Sequence, residues 1–189
     1  MYDIEPYYAW RHLYIASEDR YSPFFTREYS EFVFTHAVYN YLIHPQWDEI
    51  GSSTLYLKIL FVNYDVGFAI IELIGEWNDA IHNDIMYLKR NIADTMIVKG
   101  ITKFILIGEN VFNFHSSDDD YYQEWFEDIE EGWIVALNFR DYIIREFKQA
   151  NLDYYIAFGG MFDRFNWRSF EPDQLFQVIE AQIMKRLNP

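Results

Sequence analysis

Two acidic residues in this chain each follow a glycine at the close of an apolar run. Glu76 follows Ala69-Ile70-Ile71-Glu72-Leu73-Ile74-Gly75, and Glu109 follows Lys103-Phe104-Ile105-Leu106-Ile107-Gly108. Carboxylates held close together support two kinds of chemistry. They bind a hard divalent cation such as Mg²⁺ through oxygen ligands, and their proximity can raise one pKa, leaving one acid and one base. With a metal-bound water as nucleophile, the reaction would be hydrolysis of a small polar substrate. Arg140, in Asn138-Phe139-Arg140-Asp141, could clamp an anionic group with two parallel bonds or pair with Glu109. Asn78, Asn110 and His115 lie near these acids in sequence and are candidate ligand-binding residues.

Each of these residues also has a structural reading. Glycine often follows a strand because the chain must turn, and acids near a helix start favour its dipole. Asp79 fits best as a helix cap. His115-Ser116-Ser117-Asp118-Asp119-Asp120 sets three acids beside a histidine, but the alternating acids of a calcium loop are missing. That run reads as an N-cap with acids in the first helical turn, and no metal site is assigned to it. His12, His36, His44 and His82 form no His-Glu-x-x-His pattern and read as structural. No Gly-x-Ser-x-Gly elbow, Walker-type phosphate loop or Gly-x-Gly-x-x-Gly turn occurs.

The elements that must position these residues follow from periodicity. Leu55 to Val62 reads as a strand, Asn63-Tyr64-Asp65-Val66-Gly67 as a turn, and Phe68 to Ile74 as the returning strand of a hairpin. Ile81, Ile85, Leu88, Ile92 and Met96 recur at steps of three and four, which predicts a helix capped by Asn78 or Asp79 and ended by Gly100. Strands are expected over Ile101–Ile107, Trp133–Phe139 and Tyr154–Phe158. Helices are expected from Ser116 to Gly132, around Ile143–Leu152, and from Pro172 with Leu175, Ile179 and Ile183 buried. This alternation predicts an α/β fold: a mainly parallel sheet of about five strands with an antiparallel edge hairpin and helices on both faces. The strands that close at Gly75-Glu76 and Gly108-Glu109 flank one helix, so they should run parallel. If they are neighbours, both acids emerge at the carboxyl edge, where open α/β sheets bind ligands.

Residues 1–53 read as an aromatic N-terminal extension packed on the core, and residues 54–189 as a single α/β unit. Within the extension, Glu31 to Leu42 fits strand or helix, and His44 to Gly51 reads as a loop in which His44, Trp47 and Asp48 are candidate interaction residues.

Composition narrows the classes. Among 189 residues, 51% are hydrophobic and 21% aromatic, enough for a packed core with aromatic surplus for an interface. The net charge of −15 repels nucleic acid, and no polybasic segment favours an anionic membrane. Without cysteine there are no disulfides or thiolate sites. No apolar run approaches the roughly 20 residues of a membrane span, and the first residues lack a signal-peptide pattern, so a cytoplasmic location is expected.

The β-β-α-β-α-β-α-β order over residues 54–160 resembles the STAS domain, the fold of bacterial anti-sigma-factor antagonists. Ser116 and Ser117 lie near the position where that resemblance implies a regulatory serine, but Asp118-Asp119 follow in place of the family's Asp-Ser-x-Gly pattern. Two functions are expected. The first is a non-enzymatic regulatory or partner-binding domain without a cofactor, engaging a protein partner or a second copy of itself. The second is a small hydrolase using Mg²⁺ or another hard cation at Glu76 and Glu109.

Overall fold

A computed structural model describes residues 2–187; residue 1 of the expected extension and residues 188 and 189 of the expected α/β unit lie outside the described residues. The central sheet has five strands in the order β4-β5-β6-β7-β8: β4 (Asp48–Glu49), β5 (Leu55–Asn63), β6 (Phe68–Asn78), β7 (Lys103–His115) and β8 (Trp133–Leu137). β5 is antiparallel to both β4 and β6, whereas β7 is parallel to both β6 and β8. The sheet is therefore evenly mixed, not mainly parallel.

Two local causes explain that correction. The segment expected as a loop contributes β4, an extra antiparallel edge. The segment expected as a last parallel strand winds instead into a 3-10 turn at Leu152–Tyr154 and meets β8 only through the bridge Val135↔Ala157. Asn151, with φ of 55°, starts that turn after α5 (Asp141–Gln149), and Gly159 then leads the chain away at φ of 83°. A second sheet of β1 (Tyr2–Ile4), β2 (His36–Val38) and β3 (Tyr41–Ile43), in the order β1-β3-β2, lies in the N-terminal segment.

Neither Gly-Glu pair ends its strand. β6 continues to Asn78 and β7 to His115. Gly75 sits mid-strand at φ +112°, and a Cβ there would lie 2.0 Å from the Thr54 carbonyl oxygen. Gly108 lies under the Phe139 ring, 2.4 Å from where its Cβ would stand. These glycines permit close approach; they do not mark turns.

Between β6 and β7 the expected helix is broken into pieces: α1 (Asp79–His82), α2 (Asp84–Tyr87), a π-helical turn at Leu88–Ala93 and α3 (Asp94–Ile97). Asn78 accepts a hydrogen bond from the Ile81 amide at 2.9 Å as its N-cap, and Asn83 at φ 53° interrupts the path. Ile85, Leu88, Ile92 and Met96 are buried, but the interruption rotates Ile81 out to solvent. α4 (Asp120–Asp128), α5 and these pieces cover one face of the sheet, with Trp77 packed among Phe114, Tyr122, Phe139 and Phe147. The other face carries α6 (Pro172–Leu187), which buries Leu175, Ile179 and Ile183, together with Phe162, Trp167 and Trp10. Much of the aromatic surplus is thus core. Each such ring contributes about 1.5–3 kcal/mol by burial. Among the described residues no helix is long and apolar enough to cross a membrane.

Candidate functional site

β6 and β7 are parallel neighbours, as their flanking pattern predicts, but their register keeps the two acids apart. Glu76 stands opposite Asn113, and Glu109 lies at the irregularity between Glu72↔Ile107 and Ile74↔Asn110. Four strand positions separate Glu109 from Asn113, roughly 13 Å at the usual rise. Two of the four come from the starting register and two from bulges in the pairing, which no hydrophobic pattern could reveal.

Glu76 is held by its own chain. Tyr39 donates to it at 2.6 Å and Asn78 at 2.8 Å, and His115 Nε2 lies 3.4 Å away. Burial pushes this carboxyl up, but the Tyr39 and Asn78 bonds and the nearby His115 outweigh it and hold the group below the usual range. Asn78 reaches Glu76 from two residues away on the same strand, and His115 reaches it through the pairing of Asn78 with His115 across β6 and β7. Asn113 also meets His115, at 3.0 Å.

Glu109 meets a separate set of partners. It accepts from Asn138 at 2.8 Å, Trp167 at 2.8 Å and Arg168 at 2.7 Å. Burial raises its pKa, and these three donors more than reverse the effect. Its cationic partner is Arg168, not Arg140. Arg140 is exposed at the start of α5, its guanidinium stacked 5.3 Å from the Phe112 ring centroid. Asn110 belongs to neither expected acid; it points to Glu72 at 3.4 Å.

Glu72 is the residue that sequence reasoning passed over. It is 1% exposed, it accepts the Tyr7 amide at 2.8 Å, and it feels the charge of Glu109. Burial pushes its carboxyl up to about 7, against the Tyr7 bond and Arg168. The available signal was a single charged residue inside Ile70-Ile71-Glu72-Leu73-Ile74. Glu72 and Glu109 are thus shifted in opposite directions, with the neutral-leaning member buried beneath the N-terminal segment. Among the described residues no group of three or more histidine, aspartate or glutamate side chains is arranged to hold a metal ion.

His44, Trp47 and Asp48 are not a contact surface. All three are buried, Asp48 completely. His44 accepts from the Gln46 amide at 3.1 Å, and Trp47 donates to the Ile4 carbonyl at 2.7 Å, tying β1 down. Asp48 accepts from Tyr29 at 2.6 Å and lies 3.3 Å from Arg27 and 3.4 Å from Lys58. The segment is a loop apart from β4, but it packs inward and its side chains are covered. Exposed apolar residues stand a short way upstream: Phe32 is 88% and Val33 61% exposed. Both of their amides donate to the Ser30 hydroxyl, at 3.2 and 3.0 Å, which fixes the bend that presents them. Val33 also lines an open groove of about 230 Å³ beside β4, with Arg27, His36, Glu49 and Tyr56.

No family model matches the chain, and no curated protein matches it. Among solved structures, the anti-sigma factor antagonist SpoIIAA in its unphosphorylated form is 16% identical with a TM-score of 0.41, covering 55% of this chain and 88% of that one. The Bacillus cell fate determinant SpoIIAA in the phosphorylated form is 15% identical with a TM-score of 0.37, covering 55% and 91%. Each likeness spans 55% of this chain.

Proposed function

We propose that this chain is a regulatory, partner-binding α/β domain that recognises another protein through its N-terminal layer. The observation that carries this reading is the pair Phe32 and Val33, held out to solvent by a hydrogen-bonded bend at the rim of the groove beside β4. An exposed aromatic residue on a preorganised loop anchors an interface at low entropic cost. The groove lies against an edge strand only two residues long, so the partner meets side chains there and has little backbone to pair with. A net charge of −15 favours a partner with a basic surface and disfavours nucleic acid or an anionic membrane. Binding stands ahead of cation-assisted hydrolysis because Glu76 and Glu109 are each engaged by donors of their own chain.

The test is comparative capture from native lysate with light scattering on the isolated chain. The double variant Phe32→Ser/Val33→Ser is compared with Ile81→Ser/Val98→Ser, which removes exposed apolar surface elsewhere. The reading holds if a species, or a second copy, is retained by the wild type and the control and lost from the loop variant. A strict monomer that captures nothing, or capture indifferent to the loop, overturns it.

A further inference from the structure

A different part of the N-terminal layer encloses a second feature. Between residues 6–16 and the outer side of β5 lies a cavity of about 290 Å³. Its walls are largely apolar, formed by Tyr7, Trp10, Tyr14, Ile15 and Leu60. Its polar lining includes Lys58 and Arg11. The volume sits at the lower end of the range for small-molecule sites, and the mixture of apolar walls with a few convergent polar groups is their usual composition.

Lys58 is the informative residue. Its side chain is 12% exposed, and its ammonium lies 3.8 Å from the Tyr29 ring centroid and 3.4 Å from Asp48 Oδ2. That last distance is longer than a full-strength N–H···O bond, so the ammonium, with three donors, keeps capacity for another acceptor. Asp48 turns Oδ1 to Tyr29 and Arg27, and its Oδ2, which faces Lys58, makes no hydrogen bond at that distance, so neither Lys58 nor Oδ2 is fully satisfied by the other. Arg11 and Arg27 both add their charge to the field at Lys58. Burial pulls the Lys58 ammonium below its ordinary proton affinity, the direction expected of an under-compensated cation. Glu31 also lines the cavity but accepts from Gln46 at 2.8 Å, and Arg11 donates to Gln46 at 3.2 Å, so two cations stand against one engaged acid.

We infer that the cavity between the N-terminal segment and β5 binds a small organic carboxylate, its apolar body against Trp10, Tyr7 and Leu60 and its carboxylate on Lys58 and Arg11. An incoming carboxylate supplies the acceptor that Asp48 leaves short, and the rings replace water around its hydrocarbon. A cationic analogue meets the like charges of Lys58 and Arg11, and a neutral amide forfeits the charge-assisted bond.

Calorimetric titration of the full-length chain with phenylacetate, phenylacetamide and phenylethylamine tests this, with melting temperature as a second reading. Saturable binding of phenylacetate is expected, about tenfold or more tighter than phenylacetamide, with none for the amine. Lys58→Met should abolish the preference for acid over amide. Because that change also touches Asp48, Arg11→Gln, at an exposed position, provides a variant outside the core and should weaken phenylacetate severalfold. Equal affinity for acid, amide and amine, or no saturable binding of phenylacetate to the wild type, overturns the inference. The Phe32→Ser/Val33→Ser protein should bind phenylacetate as the wild type does, which separates this site from the interface proposed above.

Discussion

Glu72 and Glu109 sit on adjacent strands, face the same layer and feel each other's charge, yet their surroundings drive them in opposite directions. Glu109 has Asn138, Trp167 and Arg168 and is held below the usual carboxylate range; Glu72 has the Tyr7 amide and a distant Asn110 and is raised to about 7. The difference lies in donors and in burial: the Glu109 side chain is 25% exposed, whereas Glu72 is 1% exposed.

Glu72 makes stability depend on pH with a definite sign. Its folded pKa exceeds the ordinary 4.5, so the folded state holds the proton more tightly, and the associated stability is present below 4.5 and lost as pH rises through about 7. A rise of that size corresponds to about 3 kcal/mol. Glu72→Gln keeps an acceptor for Tyr7 without the charge. The variant should be more stable than the wild type at pH 8 and nearly equal to it at pH 4.5. Urea unfolding at both values measures the difference; identical pH profiles would contradict the assignment.

Asp79 is expected to matter for satisfaction of donors. It accepts from Tyr122 at 2.6 Å, the Ile85 amide at 2.8 Å and Trp77 at 3.0 Å, all in a buried setting. Asp79→Ala leaves all three without their acceptor, and a loss of about 3 kcal/mol or more should appear in chemical denaturation. Burial raises Asp79 itself to about 6, so its own contribution falls as pH climbs from 3.8 through that value.

Lys89 ties the broken helical segment to α4. Its buried ammonium donates to Asp94, to Asp128 at 2.7 Å and to Glu124 at 3.4 Å. Lys89→Met would leave Asp128 without its cation and Asp94 and Glu124 with Arg90 alone, though each acid keeps some access to water. A loss of about 2 kcal/mol is expected, and added salt should shrink it by screening the exposed acids. A loss independent of salt would point to packing instead.

Gly108 and Phe139 should show coupling. A methyl at Gly108 would meet the ring at 2.4 Å, so Gly108→Ala should destabilise by about 2 kcal/mol. Phe139→Leu in the same chain should recover part of that loss, read as an interaction energy in a double-mutant cycle. Strict additivity would show that the clash is relieved elsewhere.

The hairpin, the buried stripe Ile85-Leu88-Ile92-Met96, helix α6 and the parallel pairing of β6 with β7 were all legible, because each follows from periodicity and from a turn or cap residue. The acid pair was not. Two extra residues in β7 shift its register on β6 without altering composition, and Gly75 and Gly108 look like turn residues until Thr54 and Phe139 are placed over them. Asn83 moved Ile81 off the buried face for a similar reason: one left-handed residue breaks a pattern that otherwise continues. Arg168, Trp167 and Tyr7 reach the glutamates across long stretches of chain, and no local spacing encodes such a meeting.

The packing of Tyr7 against Trp167, with ring centroids 4.7 Å apart, bears on the order of folding during synthesis. Tyr7 leaves the ribosome well before Trp167, yet its docking surface is built from β6 and from chain around Trp167. The aromatics of this segment must therefore wait, exposed, until the chain through Trp167 has been made, and a chaperone that shelters them in that interval would be expected to raise the yield of native protein.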